Sequence, residues 1–105
     1  DIMSYKVIVL NANDTTQEHF FESKPSFEDI YSLIDCSTIE LTKGYEPSIS
    51  NRSFDMYIDE EGKLKDKTPN LRATNYWFAW QNRTERTSLA GDVLVGDVAI
   101  VRKVA

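Results

Sequence analysis

The chain has 105 residues, one cysteine, one histidine and a formal net charge of −5, a length that suits one hydrophobic core. A single cysteine excludes an internal disulfide and, with a single histidine, leaves too few soft ligands for a structural zinc site. The acidic balance speaks against duplex nucleic acid as a partner, because phosphates need a clustered basic surface.

Asp1 and Ile2 read as residues added ahead of a natural start at Met3, so one domain is expected over 3–105. No apolar run approaches a membrane span or a secretory signal. A cytoplasmic location without membrane contact is expected, in the host cytoplasm if the protein is phage-encoded. The charge is uneven along the chain. Residues 1–62 carry 13 Asp/Glu against 4 Lys/Arg, and residues 63–105 carry 4 against 8. The second part suits a small anion, or pairing with the acidic part within the molecule or across an oligomer.

Ser4 to Asn11 is β-rich and suits an interior strand, and after a polar turn over Asn11 to Thr16 the segment Gln17 to Ser23 returns as a hairpin. Pro25-Ser26 opens a helix, with Ser26 as N-cap and Asp29 completing a capping box. Phe27, Ile30, Tyr31 and Ile34 recur at helical spacing as its buried stripe, and it ends near Asp35. Ser37 to Thr42 alternates as a half-exposed strand, a loop with Gly44 and Pro47 follows, and Arg52 to Asp59 is a strand with Phe54, Met56 and Ile58 on one face. Glu60-Glu61-Gly62 turns the chain into a short return over Lys63 to Lys65.

Thr68 as N-cap and Pro69 at the first helical position set up the second helix, with its body over Asn70 to Gln81. At about 100° per residue, Ala73, Tyr76, Trp77 and Trp80 share one face, while Leu71 and Phe78 lie on another. Bulky apolar groups on two sides predict that part of this helix meets a second subunit or a cleft. Residues 82–90 are a polar connection, and Asp92 to Val104 is the closing strand, apolar on both faces and therefore central. The order ββαββ(β)αβ predicts an α+β fold with a mainly antiparallel sheet and two helices packed on it.

The triplet Gly-Asp-Val at Gly91 and again at Gly96 places Asp92 and Asp97 in an apolar segment. Five residues of strand separate them by roughly 13–16 Å and turn them to opposite faces, whereas paired hydrolytic carboxylates stand roughly 5–10 Å apart. The pair therefore marks the entry and the bend of the last strand. Asp97 alone stays a candidate, as a ligand-recognition carboxylate or a group that orders Arg72. Arg72, Asn75 and Arg83 fall near Tyr76 on the second helix, beside Trp77 and Phe78, a set that suits a phosphate held by arginine and a ring stacked on an aromatic side chain. The alternative is that the aromatic groups are core and Arg72 pairs with an aspartate. His19 has no assignable serine or aspartate partner, and Cys36 has no cue for a lowered pKa. Asp55, Asp59, Glu60 and Glu61 lack calcium-loop spacing and read as a solvated hairpin tip.

Three segments together, Lys6 to Asn11, Met56 to Trp77 and Gly91 to Val101, resemble the domain-of-unknown-function 3846 family of small bacterial, phage and mobile-element proteins. Asp59, Gly62, Leu64, Asn70, Arg72, Ala73, Thr74, Asp92, Gly96 and Asp97 carry the resemblance, which spans about half the chain. Where that family has two adjacent arginines after the asparagine, Leu71 precedes Arg72 here, so a role that needs both is not carried over. The resemblance implies a fold neighbourhood and a phage-like setting rather than an activity.

The expectation is a non-enzymatic binding protein without cofactors or metal, a homodimer that sequesters a small anionic, nucleotide-derived ligand in a counter-defence role, through Arg72, Asn75, Tyr76, Trp77, Phe78, Arg83 and Asp97. The rivals are a module that docks its acidic face on a host protein, as a mimic of nucleic-acid charge, and an enzyme that uses Asp97 or His19.

Overall fold

The computed structural model describes residues 3–81 and 92–104. In chain order it forms β1 (Tyr5–Leu10), β2 (Thr16–Phe21), α1 (Phe27–Ile34), β3 (Ile39–Gly44), β4 (Phe54–Asp59), α2 (Leu71–Trp80) and β5 (Val98–Lys103). The class is α+β as expected, and the five strands form one antiparallel sheet in the order β2-β1-β5-β4-β3. The last strand is therefore central, and its residues Val98, Ala99 and Ile100 are fully buried.

Side chains alternate between the two sides of a strand, and the register sorts the apolar residues into two cores. Ile8, Leu10, Phe54, Met56, Ile58, Val98 and Ile100 gather with Ala73 of α2 on one side. Val7, Val9 and Ala99 gather with Ile30 and Ile34 of α1 on the other. The two helices thus cover opposite faces of the sheet, and each has its own apolar surface to bury.

α1 begins as its sequence dictates. Ser26 Oγ accepts from the Asp29 N–H at 3.1 Å, and the Asp29 carboxylate accepts from the Ser26 N–H at 2.9 Å. Burial of Ile30 and Ile34 contributes about 1.5–3 kcal/mol each, and Asp35 closes the helix in a left-handed conformation. Phe27, expected in the buried stripe, is instead 58% exposed and stacks on Tyr31 with ring centroids 6.5 Å apart. It sits in the first turn, where the core does not close over it.

Three further expectations change. The short return strand over Lys63 to Lys65 is a run of turns with Leu64 on the surface. The closing strand starts at Val98 rather than Asp92, because Gly96 bends the chain at φ +80° and sends its N–H to the carbonyl of Thr68 at 2.7 Å. The cap of α2 is Asn70 rather than Thr68, and Pro69 lies outside the helix, bridged to Val95. The 82–90 connection and Arg83 lie outside the described residues.

Candidate functional site

Asn70 explains why α2 starts where it does. Its side-chain oxygen accepts from the Ala73 N–H at 3.1 Å, and its Nδ2 donates to the carbonyls of Leu10 and Gly96, both at 2.9 Å. One buried amide thereby fixes a helix N-terminus, the end of β1 and the Gly96 bend. Thr74 extends the fastening, donating to the Asn70 carbonyl at 2.7 Å and accepting from the Leu94 N–H at 3.0 Å. Asn70, Ala73 and Thr74 are therefore structural, and within that stretch the side chains of Leu71 and Arg72 are left to face outward.

The residues singled out on α2 part company. Arg72 and Asn75 line a hollow of about 420 Å³ beside the β1–β2 turn. Arg72 and Tyr76 border a separate groove of about 270 Å³ with Lys6, Glu18 and Arg102. Trp77 lines a third, of about 250 Å³, toward β3 with Glu40, Glu60 and Asp92, and Phe78 stacks on Trp77 with centroids 5.6 Å apart. None of these three cavities holds the arginine with the tryptophan, and Trp77 packs against the core. Arg72 is also engaged, donating to Thr16 Oγ1 and meeting Asp14 at 3.4 Å. Burial pushes the Tyr76 hydroxyl up, with Arg72 pulling the other way. Leu71 is 68% exposed, and Trp80, in line with buried Ala73 on the shared face, is 41% exposed at the end of the helix.

Asp97 accepts from the Ala12 N–H at 2.9 Å and pins the β1–β2 turn. It does not order Arg72, whose partners are Thr16 and Asp14. His19 meets Gln17 at 3.1 Å on the edge strand β2, and Asp92 pairs with Lys63 at 2.7 Å. Among the described residues no three His, Cys, Asp or Glu side chains converge as a metal site, and no helix is long and apolar enough to cross a membrane.

Asp59 overturns the reading of a solvated tip. Its side chain is fully buried, and its carboxylate accepts from Lys67 at 2.8 Å, Lys65 at 3.0 Å and the Glu61 N–H at 2.8 Å. Burial alone would raise this carboxyl, but the bonds from Lys67, Glu61 and Lys65 outweigh it and hold it below its ordinary value. Cys36 lies near this cluster, and burial followed by the Asp59 charge pushes its thiol up, away from nucleophilic use.

A different place gathers charge of one sign. β1 holds β5 in register as far as Tyr5–Lys103, whereas β4 pairs with β5 only at Met56–Ile100 and Tyr57–Ala99. Past Ile100 the last strand stays with β1, and a cleft of about 630 Å³ opens between its end and the start of β4. Among the described residues Lys24, Lys43, Arg52, Arg102 and Lys103 line it, with Asp55 as the one carboxylate and Ser50, Ser53, Tyr5 and Tyr57 as hydroxyl groups. Lys43 is paired with Asp55 at 2.7 Å, and Arg102 donates to the Ile49 carbonyl. Among the described residues Lys24, Arg52 and Lys103 have no ion-pair partner. Burial, then the Asp55 charge, pushes the Tyr57 hydroxyl up and keeps it a donor. Sequence reasoning missed this cleft, since its cations come from both the acidic and the basic part of the chain and no local spacing links them.

A family model described as a domain of unknown function (DUF3846) matches residues 5–103. No curated protein and no solved structure matches the chain.

Proposed function

The chain belongs to the DUF3846 family, whose description assigns no activity, and we propose that this member works by binding a small, phosphate-bearing anion in the cleft between β4 and β5. The supporting observation is the collection, among the described residues, of five cationic side chains against one carboxylate in a protein whose net charge is −5. Folding brings like charges together there at an electrostatic cost, and a bound anion offsets it. Arg52 offers a planar fork and Lys24 and Lys103 mobile ammonium groups, the pairing that suits phosphate oxygens. The hydroxyls of Ser50, Ser53 and Tyr57 add neutral donors at the same rim.

This reading keeps the sequence expectation of an anionic ligand and moves its site from α2 to the sheet end. In the phage or mobile-element setting that the resemblance implies, the role is sequestration of a host nucleotide-derived signal.

The test is mass spectrometry of small molecules released by denaturing the purified protein, with thermal shifts across inorganic phosphate, pyrophosphate and nucleotides. A co-purifying phosphate compound, lost in Arg52→Ala and Lys103→Ala and kept in Arg72→Ala, is the expected result. No released ligand and no thermal shift with any compound would sink the reading.

A further inference from the structure

A second hollow adjoins the cleft. A hollow of about 380 Å³ runs under the first turn of α1 and shares Lys24, Tyr57 and Val101 with the cationic cleft. Its remaining wall is Pro25, Ser26, Phe27, Glu28 and Ile30. Each compartment falls within the roughly 300–1,000 Å³ span of small-molecule sites, and the two adjoin along their three shared residues.

We infer that the ligand of the cleft is a nucleoside phosphate, with its phosphate among Arg52, Lys24 and Lys103 and its base in the hollow under α1. The inference rests on the anion reading above and names the ligand class for that same site. Two observations carry it. The hollow is apolar where it meets the core, through Ile30 and Val101, and aromatic at its rim, through Phe27 and Tyr57. Phe27 is an exposed phenyl ring fixed in the first turn by stacking on Tyr31, with an interplanar angle of 18°. A large apolar ring held at the mouth of a hollow, rather than folded into the core, presents a face for another flat ring. The polar groups in the wall fit the same ligand. The Glu28 carboxylate accepts hydrogen bonds and so favours a ring that carries N–H groups over an alkyl chain.

The experiment measures affinities of the full chain for AMP, GMP, CMP, UMP, ribose 5-phosphate and butyl phosphate, in the wild type and in Phe27→Ala, Phe27→Tyr and Arg52→Ala. Phe27 is exposed, so its variants keep the fold, which circular dichroism verifies. The expected result is that at least one nucleotide binds about tenfold more tightly than ribose 5-phosphate. Phe27→Ala removes most of that preference and leaves ribose 5-phosphate unchanged, Phe27→Tyr restores it, and Arg52→Ala weakens all phosphates together. If ribose 5-phosphate or butyl phosphate binds as well as every nucleotide, or if Phe27→Ala keeps the preference, the base subsite is overturned while the anion reading stands. If no phosphate compound binds the wild type, both fall.

Discussion

The ammonium of Lys67 stands 2.8 Å from Asp59 Oδ2 and also donates to the carbonyls of Asp35 and Ile34. One cation therefore ties the end of β4 to the C-terminus of α1, where orphan carbonyls and the negative end of the helix dipole welcome it. Lys67 is drawn to this place by the turns of residues 60–66, and those turns are held by Gly62, which donates to the Asp59 carbonyl at 3.0 Å. A Cβ at Gly62 would lie 2.9 Å from Val95, so the loop closes on the 92–96 segment with no room to spare.

Asp59→Asn removes the buried charge and leaves Lys67 without its partner. The expected loss is about 2–3 kcal/mol at pH 7. The folded pKa of Asp59 lies below the unfolded value of about 3.9, so its contribution is complete above that value and is lost as pH falls through the folded pKa. Denaturant unfolding from pH 7 down to pH 2.5 should show the wild type losing more stability than Asp59→Asn below about pH 4. Parallel curves over that range would contradict the assignment.

Asn70→Ala deletes the α2 cap and withdraws a donor from two backbone carbonyls. A loss of about 2–4 kcal/mol follows. Thr68, the residue that sequence spacing marks as the cap, is exposed, and Thr68→Ala should stay within about 0.5 kcal/mol of the wild type. Thermal or denaturant unfolding of the two variants separates the caps, and equal effects would reject Asn70.

Gly96→Ala imposes a side chain at φ +80° and brings a Cβ within 2.8 Å of Lys67 Cδ. Left-handed strain contributes about 1–2 kcal/mol, and displacement of Lys67 from Asp59 adds to it. In a Lys67→Ala background only the strain remains, so the two substitutions should be non-additive in a double-mutant cycle. Strict additivity would show that the contact is relieved elsewhere.

Arg52→Ala and Lys103→Ala should each weaken phosphate-ligand binding about tenfold, whereas Arg72→Ala should leave it unchanged and alter stability by less than about 1 kcal/mol. Both cleft cations are exposed, so wild-type affinity should fall as salt rises and the Debye length shortens from about 10 Å at 0.1 M. Isothermal titration across ionic strength reads both effects. Loss of binding in Arg72→Ala alone would return the site to α2.

Features set by neighbours along the chain were legible in the sequence. The Ser26–Asp29 box, the stop at Asp35, the inward face of Phe54, Met56 and Ile58, and the central place of the last strand each follow from a spacing of two to four residues or from local apolar composition. The α2 cap was misplaced because Thr68-Pro69 satisfies the local rule as well as Asn70 does, and the choice is made by the carbonyls of Leu10 and Gly96, distant in sequence. Phe27 failed for a complementary reason, since helical spacing names a face and cannot say over which of its residues the core closes.

The sequence by itself determined the five strands and two helices in their order, the α+β class and the apolar patterns that call for burial, though not the turns over Lys63 to Lys65. Only the tertiary structure decided that the helices take opposite faces, that Asp59 is buried on Lys67, and that Lys24, Arg52 and Lys103 meet at one sheet end. The physical reason is the insertion of β5 between β1 and β4. Its pairing with β1 persists to Lys103 while its pairing with β4 stops at Ile100, so the place where charges converge is fixed by long-range register, which no local spacing encodes.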